Sequence, residues 1–259
     1  MKRRISILTV ALAVLAVPAA VATAATLIGT DAPDQLTGTA GPDQIYGEGG
    51  ADVIAGAESN DYLEAGSGDD QVDGGDGLDL VIAGTGGDRV DAGAGGDVAY
   101  AGAGEDLVLG GQGDDTLFGQ ADSDQLFGGA GRDRIYASLG ADVVDAGSGA
   151  DQVSADGDAT IMAGRGDDVV TAAAGVATVR GGGGNDRIRT GDFGDTVSGG
   201  RGSDAIATSA GDDIVNVQDG RRDRVDCGPG EGDSVQADPF DVLTGCEQVL
   251  DRPAQRAVR

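Results

Sequence analysis

Aliphatic side chains return every nine residues along most of this chain, at Leu36, Ile45, Ile54, Leu63, Val72, Val81 and Val90, then at Val108, Leu117, Leu126, Ile135, Val144 and Val153, with Ala99 as the one small member. An aspartate stands two residues before each, and a glycine usually stands two residues before the aspartate. Neither a helix nor a half-buried strand has a nine-residue period. The pattern predicts a repeated unit: a glycine-rich turn, an aspartate, and a three-residue strand that turns one aliphatic side chain inward. One buried aliphatic contributes about 1.5 to 3 kcal/mol, whereas ordering nine residues costs roughly 1 to 2 kcal/mol each for the backbone alone. Such a unit cannot stand by itself, so the pattern predicts stacked coils joined by backbone ladders, with something bound in the turns.

Fourteen aspartates keep the period without a break: Asp34, Asp43, Asp52, Asp61, Asp70, Asp79, Asp88, Asp97, Asp106, Asp115, Asp124, Asp133, Asp142 and Asp151. It then slips by one residue through an eight-residue unit at 154–161, after which Asp168, Asp186, Asp195, Asp204 and Asp213 restore the grid. Glycine lets a turn take positive φ and curl tightly enough to aim carbonyl oxygens inward, and the aspartate adds a hard carboxylate oxygen. The chain has no histidine and two cysteines, so this oxygen-rich donor set points to several calcium ions rather than to zinc or copper. These nineteen aspartates are the candidate metal ligands.

The units Gly74 to Asp79, Gly110 to Asp115, Gly128 to Asp133 and Gly181 to Asp186 carry the pattern G-G-x-G-x-D, followed by x-aliphatic-x. In this the chain resembles the RTX (repeats-in-toxin, haemolysin-type) calcium-binding nonapeptide-repeat family, from about Thr26 to Val249. The resemblance implies an all-β fold, a right-handed parallel β-roll (a β-helix or solenoid) in which two repeats form one 18-residue coil and calcium lies between turns n and n+2 on each edge. That pairing sorts the aspartates into two columns, one beginning at Asp34 and one at Asp43. The first seven coils would span roughly 34 Å at ~4.8 Å per coil. Ala159 and Ala177 fall on aspartate positions of the Asp34 column, which predicts a calcium gap of two successive turns on one edge, between Asp142 and Asp195. Ser59, Asp122 and Phe193 replace the glycine two before an aspartate and mark weaker loops.

The ends of the chain differ from its middle. Lys2, Arg3 and Arg4 precede an apolar run, Ile5 to Val17, and small residues through Ala24. This predicts a secretory signal peptide at 1–24, too short in its apolar part for a membrane span, and a protein that is secreted, or extracellular. The roll is expected over 25–215, with a C-terminal cap at 216–250 and a disordered tail at 251–259. Cys227 and Cys246 lie in the cap. In an exported protein they most simply form one disulfide, the alternative being two free thiols in a redox or metal role.

Composition narrows the function. The chain has 45 acidic and 17 basic residues, a net charge of −28 and few aromatics, close to the signature of a chain that is disordered without counterions. All but six of the acids are aspartate, the one that suits a tight turn. Without histidine, and without lysine beyond Lys2, no Ser-His-Asp or Cys-His centre, P-loop or Schiff base can be built, so the chain is expected not to be an enzyme. The charge opposes nucleic acid as a partner. The expected function is a stand-alone calcium-binding β-roll whose folding is driven by the ion. The alternative is a calcium-dependent adhesin or matrix protein, self-associating or holding a wall polymer or glycan through an aromatic face. Tyr46, Ile82, Tyr100, Phe118 and Tyr136 share one outward strand position, which predicts a stacked ladder about 24 Å long.

Overall fold

The computed structural model describes residues 23–250. The expected tail, and the expected signal segment up to residue 22, lie outside the described residues. Twenty-six strands, numbered in chain order from β1 (Thr26–Thr30) to β26 (Gln248–Leu250), form two 13-stranded sheets, and no helix occurs among the described residues. Odd-numbered strands make one sheet and even-numbered strands the other. Every neighbour pair is parallel, most often residue i beside residue i+18. The chain is therefore a parallel β-solenoid. The nine-residue aliphatics stack in register: Val72, Val90, Val108, Leu126 and Val144 in one sheet, and Leu63, Val81, Ala99, Leu117 and Ile135 in the other. All belong to a single buried core.

The strands are longer than the sequence pattern suggests. β10 (Leu107–Gln112) and β11 (Thr116–Ala121) have six residues each, alternating buried and half-exposed. Each unit turns three side chains inward rather than one: the aspartate, the aliphatic, and a residue two positions further on. This third position is Gly or Ala in every unit from Gly29 to Gly181, because it meets the next aspartate and the neighbouring coil's backbone. A Cβ on Gly110 would lie 2.7 Å from Oδ2 of Asp115 and 2.6 Å from the carbonyl oxygen of Gly128. Beyond Gly181 the position also admits larger side chains, as the buried Thr190, Thr208 and Val217 show.

At the slip, the coil register falls from 18 to 17 residues between β14 (Ala141–Ser148) and β16 (Asp158–Arg165), where Val144 pairs with Ile161. In the other sheet an irregularity between Tyr136 and Ser138 takes up the deficit, so the aliphatic columns continue. Residues 216–250, expected as a cap, carry further strands of both sheets: β23 (Arg224–Asp226), β24 (Ser234–Gln236), β25 (Val242–Thr244) and β26. Here the coil lengths vary in the turns, while Val225 and Val235 stay buried. The disulfide joins Cys227 and Cys246, which follow β23 and β25, so it staples neighbouring coils of one sheet.

Regular turns need glycine for two reasons at once. Gly86 has φ 137°, and a Cβ there would lie 1.9 Å from the carbonyl oxygen of Gly68 in the preceding coil. Two of the loops that lack glycine keep left-handed backbone there: Ser59 and Asp122 hold φ at 79° and 74°, whereas Phe193 does not have positive φ. Left-handed backbone at such residues costs on the order of 1 kcal/mol. Ser59→Gly and Asp122→Gly are each expected to stabilise the calcium-loaded protein by about 1 kcal/mol in urea unfolding, whereas Gly86→Ala is expected to cost several times as much because its methyl group meets backbone.

Candidate metal centre

The aspartates of the repeat point into the solenoid, not out from its turns. The strand alternation that buries the aliphatic also buries the residue two before it. The structure arranges them in two columns, one along each edge. One runs Asp34, Asp52, Asp70, Asp88, Asp106, Asp124 and Asp142, then Asp195, Asp213 and Asp233, with Ala159 and Ala177 in the intervening places. The other runs unbroken through Asp43, Asp61, Asp79, Asp97, Asp115, Asp133, Asp151, Asp168, Asp186 and Asp204 to Asp223 and Asp241. Wherever the next coil of a column also carries an aspartate, the backbone N–H donates to the Oδ1 of that aspartate. For Asp79 to Asp97 and Asp115 to Asp133 the distances are 2.8 and 2.9 Å.

The second oxygen is the unusual one. In nineteen aspartates, Asp52 through Asp233, Oδ2 is buried and has no hydrogen-bond partner among the described residues. Leaving a buried polar atom unsatisfied costs about 1 to 3 kcal/mol, and more when it is charged. Asp34 and Asp43 stand apart from this set. The backbone and hydroxyl of Thr30 donate to Oδ2 of Asp34, and the backbone of Thr39 donates to Oδ2 of Asp43, its hydroxyl to Oδ1. Three members of the columns lie beyond the regular grid: Asp223, Asp233 and Asp241. Their signal was the aliphatic two residues on, at Val225, Val235 and Leu243, which persists after the nine-residue count fails. Glu247 ends the Asp34 column by accepting from the N–H of Asp233 at 3.2 Å.

Burial raises the carboxyl pKa values, against the pull of the single backbone hydrogen bond. It takes Asp115, Asp124, Asp151 and Asp186 to about 7, and Asp79, Asp88 and Asp223 to about 6. Aspartates one coil away in the same column push in the same direction. The stack therefore needs positive charge, either a proton on the carboxyl or a cation beside it.

No group of three or more carboxylates converges on one point among the described residues, so backbone carbonyls have to complete any cation's shell. The turns supply them in stacked register, as where Gly68 approaches Gly86 and Gly95 approaches Gly113. With both cysteines oxidised and no histidine in the chain, the donors are oxygen throughout, and they fit calcium. A model of the RTX calcium-binding nonapeptide repeat matches residues 28–63, 49–81, 56–90, 82–117, 118–153, 154–188 and 189–221. The chain belongs to this family. No curated protein matches the sequence. RTX repeats stacked in a β-roll imply calcium binding, and the unpartnered Oδ2 atoms name the side chains of this RTX chain that would hold the ion.

Carboxyls with raised folded-state pKa values bind more protons folded than unfolded between about pH 7 and pH 4, so metal-free stability is lost as pH rises through that window. In chelator, circular dichroism is expected to show more β structure at pH 5 than at pH 7.5, while calcium affinity falls over the same acidification because the ion needs the ionised form. Ala159→Asp with Ala177→Asp, which completes the Asp34 column, is expected to raise the calcium stoichiometry measured by calorimetry and to lower stability in chelator. Asp115→Asn is expected to do the reverse, costing about 1.4 kcal/mol of calcium-dependent stability if one site is lost at calcium ten times its dissociation constant.

Proposed function

We propose that this RTX chain is an exported, non-enzymatic β-roll that is disordered at low calcium and folds when it meets millimolar calcium outside the cell. The observation that carries the reading is the set of nineteen buried carboxylates with one unsatisfied oxygen each. Extracellular calcium modules have dissociation constants of about 10⁻⁴ to 10⁻³ M, in the range that separates the two sides of a cell membrane. The signal-like start at Lys2 to Ala24 and the disulfide both suit an oxidising, external compartment. No helix among the described residues is long and apolar enough to cross a membrane. The lack of histidine, and of lysine beyond Lys2, supports a binding role rather than catalysis.

The aromatic face bears on the adhesin alternative. Tyr100, Phe118 and Tyr136 stack at 4.6 and 4.8 Å with ring planes within 7° of parallel. The ladder does not reach Tyr46, because Glu64 occupies the position between Tyr46 and Ile82 and accepts from the Tyr62 hydroxyl. Tyr46 packs on Tyr62 instead. Rings stacked this closely cover one another's faces, which favours a ladder that braces its own sheet over a platform for a ligand along its length.

The test is circular dichroism and sedimentation of the chain lacking residues 1–24, in chelator and in millimolar calcium. A cooperative gain of β structure and a smaller hydrodynamic radius on adding calcium are expected; a protein equally ordered in both conditions at neutral pH refutes the reading.

A further inference from the structure

The odd-numbered sheet has a second feature, beyond the end of the aromatic stack. Phe118 covers one face of the Tyr136 ring, so the opposite face looks toward the next coil. There the matching position is Ser154, followed by Thr171, and neither side chain is large enough to cover a ring. Tyr136 is 39% exposed, and a hollow of about 200 Å³ lies beside it, floored by Gln152, Ser154, Val169 and Thr171. On the next strand, β19 (Arg187–Thr190), Arg187 and Arg189 both point outward. The surface then drops to Ala205 and Ala207 on β21 (Ala205–Ala207) and rises again at Arg224 on β23. This second hollow measures about 340 Å³, and its one carboxylate is Asp226.

The charge on this face runs against the charge of the molecule. Across the whole odd-numbered sheet the outward strand positions flanking the inward aliphatics hold two acids, Glu64 and Asp226, against four arginines, Arg134, Arg187, Arg189 and Arg224. The even-numbered sheet holds Asp73, Asp91 and Asp145 against Arg89 and Arg180 at the equivalent positions. In a chain of net charge −28, a sheet face with more arginine than acid is a local reversal, and at physiological salt a Debye length of about 8 Å lets such a patch act independently of distant charges.

We propose that the strip from Tyr136 to Arg224 binds an acidic polysaccharide laid along the axis of the solenoid. The free tyrosine face suits the apolar side of a sugar ring, while Gln152, Ser154 and Thr171 offer donors and acceptors to its hydroxyls. Arginine forks suit carboxylates spaced along the polymer. Five strand spacings separate Tyr136 from Arg224, roughly 24 Å at ~4.8 Å each, long enough for several sugars. The mixture of ring face, hydroxyls and separated guanidinium groups matches a carboxylated sugar chain better than a compact anion. None of these side chains belongs to the aspartate columns, so the binding can be tested apart from the calcium chemistry.

The experiment uses the calcium-loaded protein and titrates it calorimetrically with hyaluronate, a soluble polymer with a carboxylate on alternate sugars, and with neutral dextran. Binding to hyaluronate that weakens with added salt, with none to dextran, is expected. Tyr136→Ser, and separately Arg187→Ser with Arg189→Ser and Arg224→Ser, are each expected to weaken it about tenfold or more, with the calcium-induced circular dichroism unchanged. Should the triple variant fail to fold, Arg189→Gln alone is expected to reduce both the affinity and its salt dependence. Equal binding of dextran, wild-type affinity in the folded variants, or a dimer in sedimentation that these substitutions dissolve overturns the proposal. So does binding to anionic lipid vesicles as tight as to hyaluronate.

Discussion

The structure rests on carboxylates that the chain itself leaves half satisfied. Nineteen aspartates of the two columns, Asp52 through Asp233, accept at Oδ1 from a backbone N–H of the adjoining coil and leave Oδ2 buried without a partner among the described residues. The first contact makes the aspartate part of the inter-coil ladder, so removing it to relieve the charge would also remove a hydrogen bond from every coil. The second makes each added coil costly at neutral pH unless a cation or a proton comes with it. One residue type thus couples the stacking of coils to the occupancy of the turns. On the proposed reading, fold and binding are one equilibrium.

The rest of each unit is arranged around that coupling. Up to Gly181, Gly or Ala opposite Oδ2 keeps the space narrow, as the 2.7 Å approach at Gly110 indicates. Val, Leu or Ile between them supplies the one sizeable apolar contact, and outward positions are left to vary. Stability in such a one-dimensional stack is close to a sum of unit and neighbour contributions, so a defect is tolerated if its partner edge is intact. Ala159 and Ala177 interrupt one column where Asp151, Asp168 and Asp186 keep the other continuous. The first of these alanines lies in the one short unit, where the register falls to 17, while Ala177 sits in regular register with its neighbours.

Much of this was legible in the sequence, because period and chemistry coincide. The nine-residue spacing of Asp34 to Asp151 fixed the coil, and the eight-residue unit at 154–161 located the slip. The two alanines located the break in one column. What the sequence hid were directions. It does not say whether an aspartate at the mouth of a strand faces the turn or the core, and only the alternation seen in strands such as β10 places it inside. The third inward residue was concealed because Gly and Ala read as turn composition rather than as core. Past Asn216 the count of nine fails while Val225 and Val235 remain buried, so the apolar position proved a better guide than the spacing. The aromatic ladder failed for a local reason: a single Glu64 in its column draws the Tyr62 hydroxyl to itself at 2.7 Å and splits the rings into a pair and a triplet.

The sequence's apparent conflict between composition and fold is resolved by where the charge lies. A net charge of −28 with 3% aromatic residues is the composition of chains with too little apolar surface to order themselves against their own repulsion. Its repeat aspartates are confined to the edges of the solenoid, one per turn, where the aspartates of a column and the carbonyls of the stacked turns would hold a divalent ion. Fewer acids fall on the sheet faces, and the odd-numbered one carries rings and four arginines against Glu64 and Asp226. On the proposed reading, a calcium-loaded roll would present a different electrostatic surface from the free chain: neutralised along its edges, with Arg187, Arg189 and Arg224 grouped on one sheet face. Any partner that reads that face reads, through it, whether the coils have been assembled.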